Sequence, residues 1–239
     1  MLRKYYKIAS AVAILGLSVT PAHAQDVFLQ GAQNWANNSL TLRTSQALQN
    51  SLSAPDRSPG QSQVVSTASL TYRPSIERRR ANLASFVEKT RKNDPEGAAG
   101  LERSFAANDV IGLLDRELAP FGLSVSNVAD AYTVWAVTAW QAAFDPSASP
   151  TRPMAQAVRS QSSNAILASP AFASLSEAEK QEMAEIYIVQ AAMIQAAVDQ
   201  AGGDQARLRQ IASAVKKGAR ASGLDLDRIT LTQSGFQPR

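Results

Sequence analysis

The sequence contains no cysteine, and its single histidine, His23, lies in a segment that we expect to be removed. Without these residues the mature chain cannot build Ser-His-Asp or Cys-His catalysis, thiol redox chemistry, a lipid anchor on cysteine, or a zinc site with His or Cys ligands. A glycine-rich phosphate loop is also missing, because residues 97–100 and 202–203 lack its spacing. We therefore expect no cofactor and no metal site.

Long hydrophobic runs are missing too, and the apolar run near the N-terminus is short. Residues 8–19 carry no charge and follow three basic residues, and the Ala-His-Ala sequence at 22–24 is the small-x-small pattern that signal peptidase cleaves. A helix of that length extends only about 18 Å, against a hydrocarbon core of about 30 Å. The pattern predicts a cleaved Sec-type signal peptide over residues 1–24, a periplasmic or secreted location, and no membrane span in the mature chain.

Excess charge nearly disappears when the signal is removed. Lys plus Arg falls from 24 to 21 against 20 acidic residues, so the formal net charge falls from +4 to +1. The net positive charge of the precursor therefore comes partly from its predicted signal peptide. Together with an exported location, this predicts no nucleic-acid partner.

Large apolar residues are sparse between residues 25 and 69, where Ser, Gln and Asn dominate and residues 53–60 are rich in turn-forming types. So little apolar surface cannot offset the entropy lost when a chain is ordered. We therefore predict a flexible or loosely docked polar arm over residues 25–69, followed by a helical domain over residues 70–239.

Helical periodicity begins after Tyr72 and predicts an all-α fold, with a single compact domain of six or seven helices. In the first helix, Ile76, Leu83, Phe86 and Val87 form an apolar face, and the helix at 127–144 is apolar on nearly all sides. The predicted helices cover residues 75–92, 98–107, 108–121 with Asn108 as N-cap, 127–144, 154–168, 176–201 with a capping box at Ser176 and Glu179, and 204–222; one extended segment is expected at 228–232.

Acidic residues remain as candidates for catalysis, because a glycan hydrolase needs only two carboxylates. Ordinary structural roles are open to them, such as Asp109 near a helix N-terminus or Glu102 beside Arg103 or Arg116. A carboxylate-dependent hydrolase acting on cell-wall glycan or peptide is therefore an alternative function. The candidates are Glu102, Asp109, Asp115, Glu117 and Asp130.

Asp130 has two interpretations. If Asn127 is the N-cap of its helix, Asp130 lies in the first turn and serves the helix dipole. As the one acid on an otherwise apolar helix, it can instead be partly buried and need a cation. Arg79 is the expected cation, because it flanks the apolar face of the first predicted helix.

Arg79 belongs to a run of three arginines at 78–80. Arg79 and Arg80 flank the apolar face, whereas Arg78 points away from it. Flanking arginines usually pack their aliphatic stems against the core and keep their guanidinium groups solvated or ion-paired. The alternative is recognition of an anion, such as a phosphate or an envelope polymer.

Trp135 and Trp140 lie on the helix at 127–144, where core packing is the default and a ligand groove is the alternative. With Arg79 and Asp130, they complete the set of candidate binding residues.

Several stretches of the chain resemble a known family. They are residues 70–75 (LTYRPS) with 78–83 (RRRANL), 127–132 (NVADAY) with Trp135 to Trp140, and 223–227 (GLDLD). The family consists of exported Gram-negative bacterial proteins that are catalogued only as a domain of unknown function, and the resemblance covers about residues 68–236. It implies a secreted helical domain and no known activity, cofactor or catalytic residue.

We therefore expect a non-enzymatic periplasmic or secreted protein that binds an envelope protein or polymer through its helical surface or its arm. Two carboxylates about 5–10 Å apart in one groove would favour the hydrolase. An apolar cavity of a few hundred Å³ would favour a third function, a carrier of small ligands.

Overall fold

A computed structural model of the protein describes residues 45–50, 52, 69–92 and 94–239. The described chain is mainly helical, which confirms the predicted all-α class, and it ends in a small β-hairpin. From residue 76 onward the elements are α1 (Ile76–Arg91), α2 (Pro95–Ala107), α3 (Val110–Leu118), a 3-10 turn (Ala119–Phe121), α4 (Val128–Phe144), α5 (Arg152–Leu167), α6 (Pro170–Ala173), α7 (Glu177–Gln200), α8 (Gln205–Ala221), a second 3-10 turn (Leu226–Arg228), β1 (Ile229–Thr232) and β2 (Gly235–Pro238).

Helix α4 lies at the centre of the domain, with α5, α7 and α8 packed around it. Nearly all of its residues are buried, as expected for a helix that is apolar on every side. Asn127 caps it by accepting hydrogen bonds from the backbone N–H groups of Ala129 and Asp130. Among the described helices, none is long and apolar enough to cross a membrane.

Capping side chains set the helix starts, and two predicted starts need correction. The capping box of Ser176 and Glu179 opens α7 as predicted. The N-cap of α3, however, is Asp109, which accepts from the Gly112 N–H, whereas Asn108 ends α2. Helix α2 itself begins at Pro95, before the predicted residue 98, because Asp94 caps it and proline suits the first turn.

The predicted apolar face of α1 is buried along only part of its length. Phe86 and Val87 are buried, but Ile76 is 69% exposed. Periodicity shows which residues share a face, but it cannot show where the covering helices end. The shared face is therefore covered around Phe86 and Val87 but not at Ile76.

The predicted extended segment at 228–232 is present as strand β1, and the sequence missed the second strand, β2, which completes a hairpin with it. Strands β1 and β2 are antiparallel, with Ile229 opposite Pro238 and Thr232 opposite Gly235. Gln161 of α5 fixes the hairpin, because its amide donates to the Phe236 carbonyl at 2.8 Å and accepts from the Phe236 N–H at 2.9 Å. The hairpin is thus attached to α5 by hydrogen bonds of the Gln161 side chain, which replace the backbone bonds that a neighbouring strand would make.

Residues 45–50 and Leu52 are helical, and we name them the arm helix. Leu48 is completely buried, the Tyr132 hydroxyl is 3.1 Å from the Ser45 hydroxyl, and Gln49 accepts from the Asp225 N–H at 3.0 Å. These residues belong to the predicted arm, and of its two alternatives they follow the docked one, because Leu48, Ser45 and Gln49 all contact the domain. The remaining residues of the predicted arm, and the predicted signal peptide, lie outside the described residues.

Candidate functional site

Arg79 and Glu185 form a buried ion pair between α1 and α7. The Arg79 Nε donates to Glu185 Oε1 at 3.1 Å, and Glu185 is completely buried. Asn82 donates to the other carboxylate oxygen at 2.7 Å, and Gln181 donates to Oε1 at 2.9 Å. Both oxygens of Glu185 are therefore already occupied.

Asp109 binds a second nitrogen of the same guanidinium. The Arg79 Nη1 donates to Asp109 Oδ1 at 3.1 Å, so this cap of α3 also ties α3 to α1. The predicted pair of Arg79 with Asp130 is consequently wrong. Helix α1 packs on α2 and α7, which brings Arg79 to Glu185 instead.

Asp130 is a buried acid whose cation comes from α5. The Arg159 Nε donates to Asp130 Oδ1, and the Ser124 N–H donates to Oδ2 at 3.0 Å. Burial raises the pKa of Asp130, an effect that the Arg159 and Ser124 hydrogen bonds oppose. Both interpretations of Asp130 hold in part, because it lies in the first turn of α4 and is also buried with a cation.

Asp115 comes close to Asp130 through one shared residue. The Ser124 hydroxyl donates to Asp115 Oδ1 at 3.1 Å, and the Val125 N–H donates to the same oxygen at 2.9 Å. These two candidate acids thus flank the loop between the 3-10 turn and α4.

The other two candidate acids lie apart from this loop. Glu102 accepts from Arg91 at 2.9 Å rather than from Arg103 or Arg116. The Glu117 side chain makes no hydrogen bond or ion pair with the residues that the structure describes. Neither joins a second carboxylate in a site.

Both candidate tryptophans are packing residues. Trp135 is buried in an aromatic cluster with Tyr132 and Tyr187, with ring centroids 5.3 and 5.7 Å away. Trp140 is half-buried and donates its indole N–H to the Ile229 carbonyl at 3.2 Å. Its ring contacts Phe144 at 5.3 Å, so Trp140 connects α4 to the hairpin.

A surface groove opens where α4 and α7 end and α8 begins, and its volume is about 620 Å³. The residues that line it are Ala142, Ala143, Phe144, Pro146, Ser147, Val198, Asp199, Gly202, Gly203, Gln205, Leu208, Arg209 and Ala212. Most of these are apolar or small. Among these lining residues, Asp199 is the single carboxylate and Arg209 the single cation.

Phe144 forms part of the groove wall and lies next to two cations. The Lys216 ammonium is 4.1 Å from the centroid of the Phe144 ring, and the Arg239 guanidinium is 4.2 Å from it. Such contacts hold cations in place on an aromatic face. Two cations therefore lie against the aromatic wall at this end of the groove, and one of them, Lys216, is ion-paired with Asp227 at 2.8 Å.

Sequence reasoning missed Glu185 and the groove for different reasons. Glu185 follows a polar first turn on α7, so its sequence context resembles an exposed surface, although it directly precedes a long apolar run. The groove depends on how three helix ends diverge, which no local pattern encodes.

In the described part of the chain, no group of three or more His, Cys, Asp or Glu residues could hold a metal ion.

Comparison with known proteins gives one match. The sequence model of a family of unknown function (DUF6683) matches residues 11–239. The match begins well before the predicted resemblance at residue 68, so it includes the arm helix. Neither the curated proteins nor the solved structures contain a match to this chain.

Proposed function

We propose, for a chain that belongs to this family of unknown function (DUF6683), that it is a non-enzymatic binding protein of the bacterial cell envelope. Its partner is an envelope protein, which it binds in the groove between α4, α7 and α8. The observation that carries this proposal is a groove of about 620 Å³ that is open to solvent and lined mostly by apolar or small residues, with one carboxylate and one guanidinium. An open groove of this kind suits an inserted protein segment, whereas a carrier of small ligands needs a pocket that encloses them.

The arrangement of acids favours binding over hydrolysis. A glycan hydrolase needs two carboxylates beside one substrate, and the groove lining holds only Asp199. Glu185 and Asp130 are enclosed and held by arginines, so neither faces the groove with a free oxygen. They fix helix positions instead.

Export to the periplasm or beyond is part of the proposal. It is supported by the basic start, the short uncharged run at 8–19, and the Ala-His-Ala sequence at 22–24. A Gram-negative source agrees with this targeting pattern. An exported protein with a formal net charge near zero meets no nucleic acid, so we propose no nucleic-acid partner.

Groove-filling variants test the function. Ala212 lines the groove, whereas the adjacent Ser213 is exposed and does not line it. We expect Ala212→Trp to lose an envelope protein that the wild type captures from solubilised envelopes, and Ser213→Trp to retain it. Equal capture by both variants, or capture of glycan alone, would show that the groove does not bind a protein partner.

A hydrolase remains the second candidate, because one observation favours it. Asp115 and Asp130 bind the same residue, Ser124, and burial raises the pKa of Asp130, as in enzymes that keep one carboxyl protonated. Release of soluble fragments from purified cell-wall glycan by the wild type, lost in Asp115→Asn, would establish this function. The binding proposal expects no release.

A further inference from the structure

Helix α8 carries five basic residues and no acidic residue. At 100° per residue, Arg209, Lys216 and Arg220 fall within about 40° of one another, in a row along one edge of the apolar stripe. The other two basic residues lie outside this row. The five are Arg207, Arg209, Lys216, Lys217 and Arg220.

This basic row borders the groove. Arg209 lines it directly, and Lys216 lies against the Phe144 ring that forms part of its wall. Arg239 approaches the same ring from the C-terminal hairpin. Cations from α8 and from the end of the chain therefore follow one edge of the groove.

Two of these cations lie near carboxylates that are already ion-paired with other cations. Asp204, near Arg209, is paired with Arg207, and Asp227, near Arg239, is paired with Lys216 and Arg220, at 2.8 and 3.0 Å. No carboxylate lies within ion-pair distance of Arg209 or Arg239 among the described residues. Positive charge is thus left at the groove edge, while the one acid of the lining, Asp199, accepts from Gln195 on its own helix.

The apolar stripe of α8 is incompletely covered beside the groove. Val215 and Ala219 are buried, but Leu208, Ile211 and Ala212 in the first turns are only half-buried. The groove is lined opposite them by small residues, Ala142 and Ala143 of α4 among them. Small residues let a helix backbone approach closely, so an added helix would complete the packing around α4, α7 and α8.

We infer that the groove takes an amphipathic α-helix of a partner protein, with an apolar face on Leu208 and Ala212 and acidic side chains facing Arg209 and Arg239. This rests on the proposed function, because it names the kind of segment that the proposed partner inserts. A second copy of α8 does not fit, since it would bring five more basic residues to a basic edge. An acidic helix matches both the apolar floor and the charge of the edge.

Two synthetic helical peptides test this inference on the full mature chain. They share one apolar pattern, at i, i+3, i+4 and i+7, and carry either Glu or Lys on the flanking positions. We expect the Glu peptide to bind at least about tenfold more tightly than the Lys peptide at low salt, with a smaller advantage at high salt. Ala212→Trp should weaken the Glu peptide, because it fills the floor of the groove.

A charge-reversal variant shows whether Arg209 causes the preference for the Glu peptide. In Arg209→Glu the preference for the Glu peptide should fall to about threefold or less, whereas Arg103→Glu, an exposed arginine on α2, should leave it unchanged. Equal binding of the two peptides, a preference for Lys, or no binding of either would overturn the inference. If envelope capture still depends on Ala212 in that case, the proposed function stands and only the acidic helix is wrong.

Discussion

An ionised carboxylate is costly to take out of water, and the protein solves this problem in the same way at Glu185 and Asp130. Each acid is bound by an arginine from another helix, Arg79 from α1 and Arg159 from α5. Backbone or side-chain N–H groups occupy the remaining oxygens. Each pair therefore fixes one helix against its neighbour.

Removing Arg79 should be strongly destabilising. In Arg79→Met the buried Glu185 carboxylate keeps Asn82 and Gln181 but loses its countercharge, and we expect the free energy of unfolding to fall by about 3–5 kcal/mol. The double variant Arg79→Met/Glu185→Leu should lose no more than the single variant, because no stranded charge remains. Urea denaturation of the two single variants and the double variant measures this coupling.

The exposed pair of Arg91 and Glu102 is the matched control. Arg91→Met should change the free energy of unfolding much less than Arg79→Met, since water solvates the remaining Glu102. Losses at Arg79 and Glu185 that simply add in the double variant would contradict the buried pair.

At the scale of elements, the local sequence predicts the features that depend on neighbouring residues, such as helix N-caps. The N-caps at Ser75, Asn127, Ser176 and Asp204 all bind N–H groups two or three residues ahead, so the sequence locates the starts of these helices. The hairpin is different, because Gln161 lies 75 residues from the strand it holds. The ion pairs are also non-local. Arg79 and Asp130 both form ion pairs, as their sequence context predicts, but only the packing of α1 on α7 and of α5 on α4 determines their partners.

The arm helix is the element whose docking the average composition of residues 25–69 could not predict. Few apolar residues lie between 25 and 69, yet a single one, Leu48, is completely buried and attaches the helix to the domain. Leu48→Ala should lower the free energy of unfolding by about 2–5 kcal/mol, because it leaves a cavity in the core. Gln46→Ala, on the exposed side of the same helix, should have little effect in the same denaturation experiment. Similar small losses in both variants would show that the arm helix does not contribute to the stability of the domain.

At the scale of the whole molecule, the proposed function depends on where the chain is delivered. A groove edged by arginines suits a partner in the envelope only if the protein reaches that compartment. Among the described helices, none is long and apolar enough to cross a membrane. The proposal assigns delivery to the predicted signal peptide, which lies outside the described residues.

Cleavage before Gln25 is the expected outcome of export. The Ala-His-Ala sequence at 22–24 places small residues where signal peptidase requires them, so the mature chain should contain 215 of the 239 residues. Intact-mass measurement of periplasmic protein should show this loss, and the formal net charge should fall from +4 to +1. Replacing Ala24 with Asp should block processing, whereas Gln25→Asp, one residue beyond the cut, should allow it. A full-length wild-type chain retained in the membrane fraction would mean that residues 1–24 act as an anchor, although their uncharged run of about 18 Å is too short to cross the bilayer.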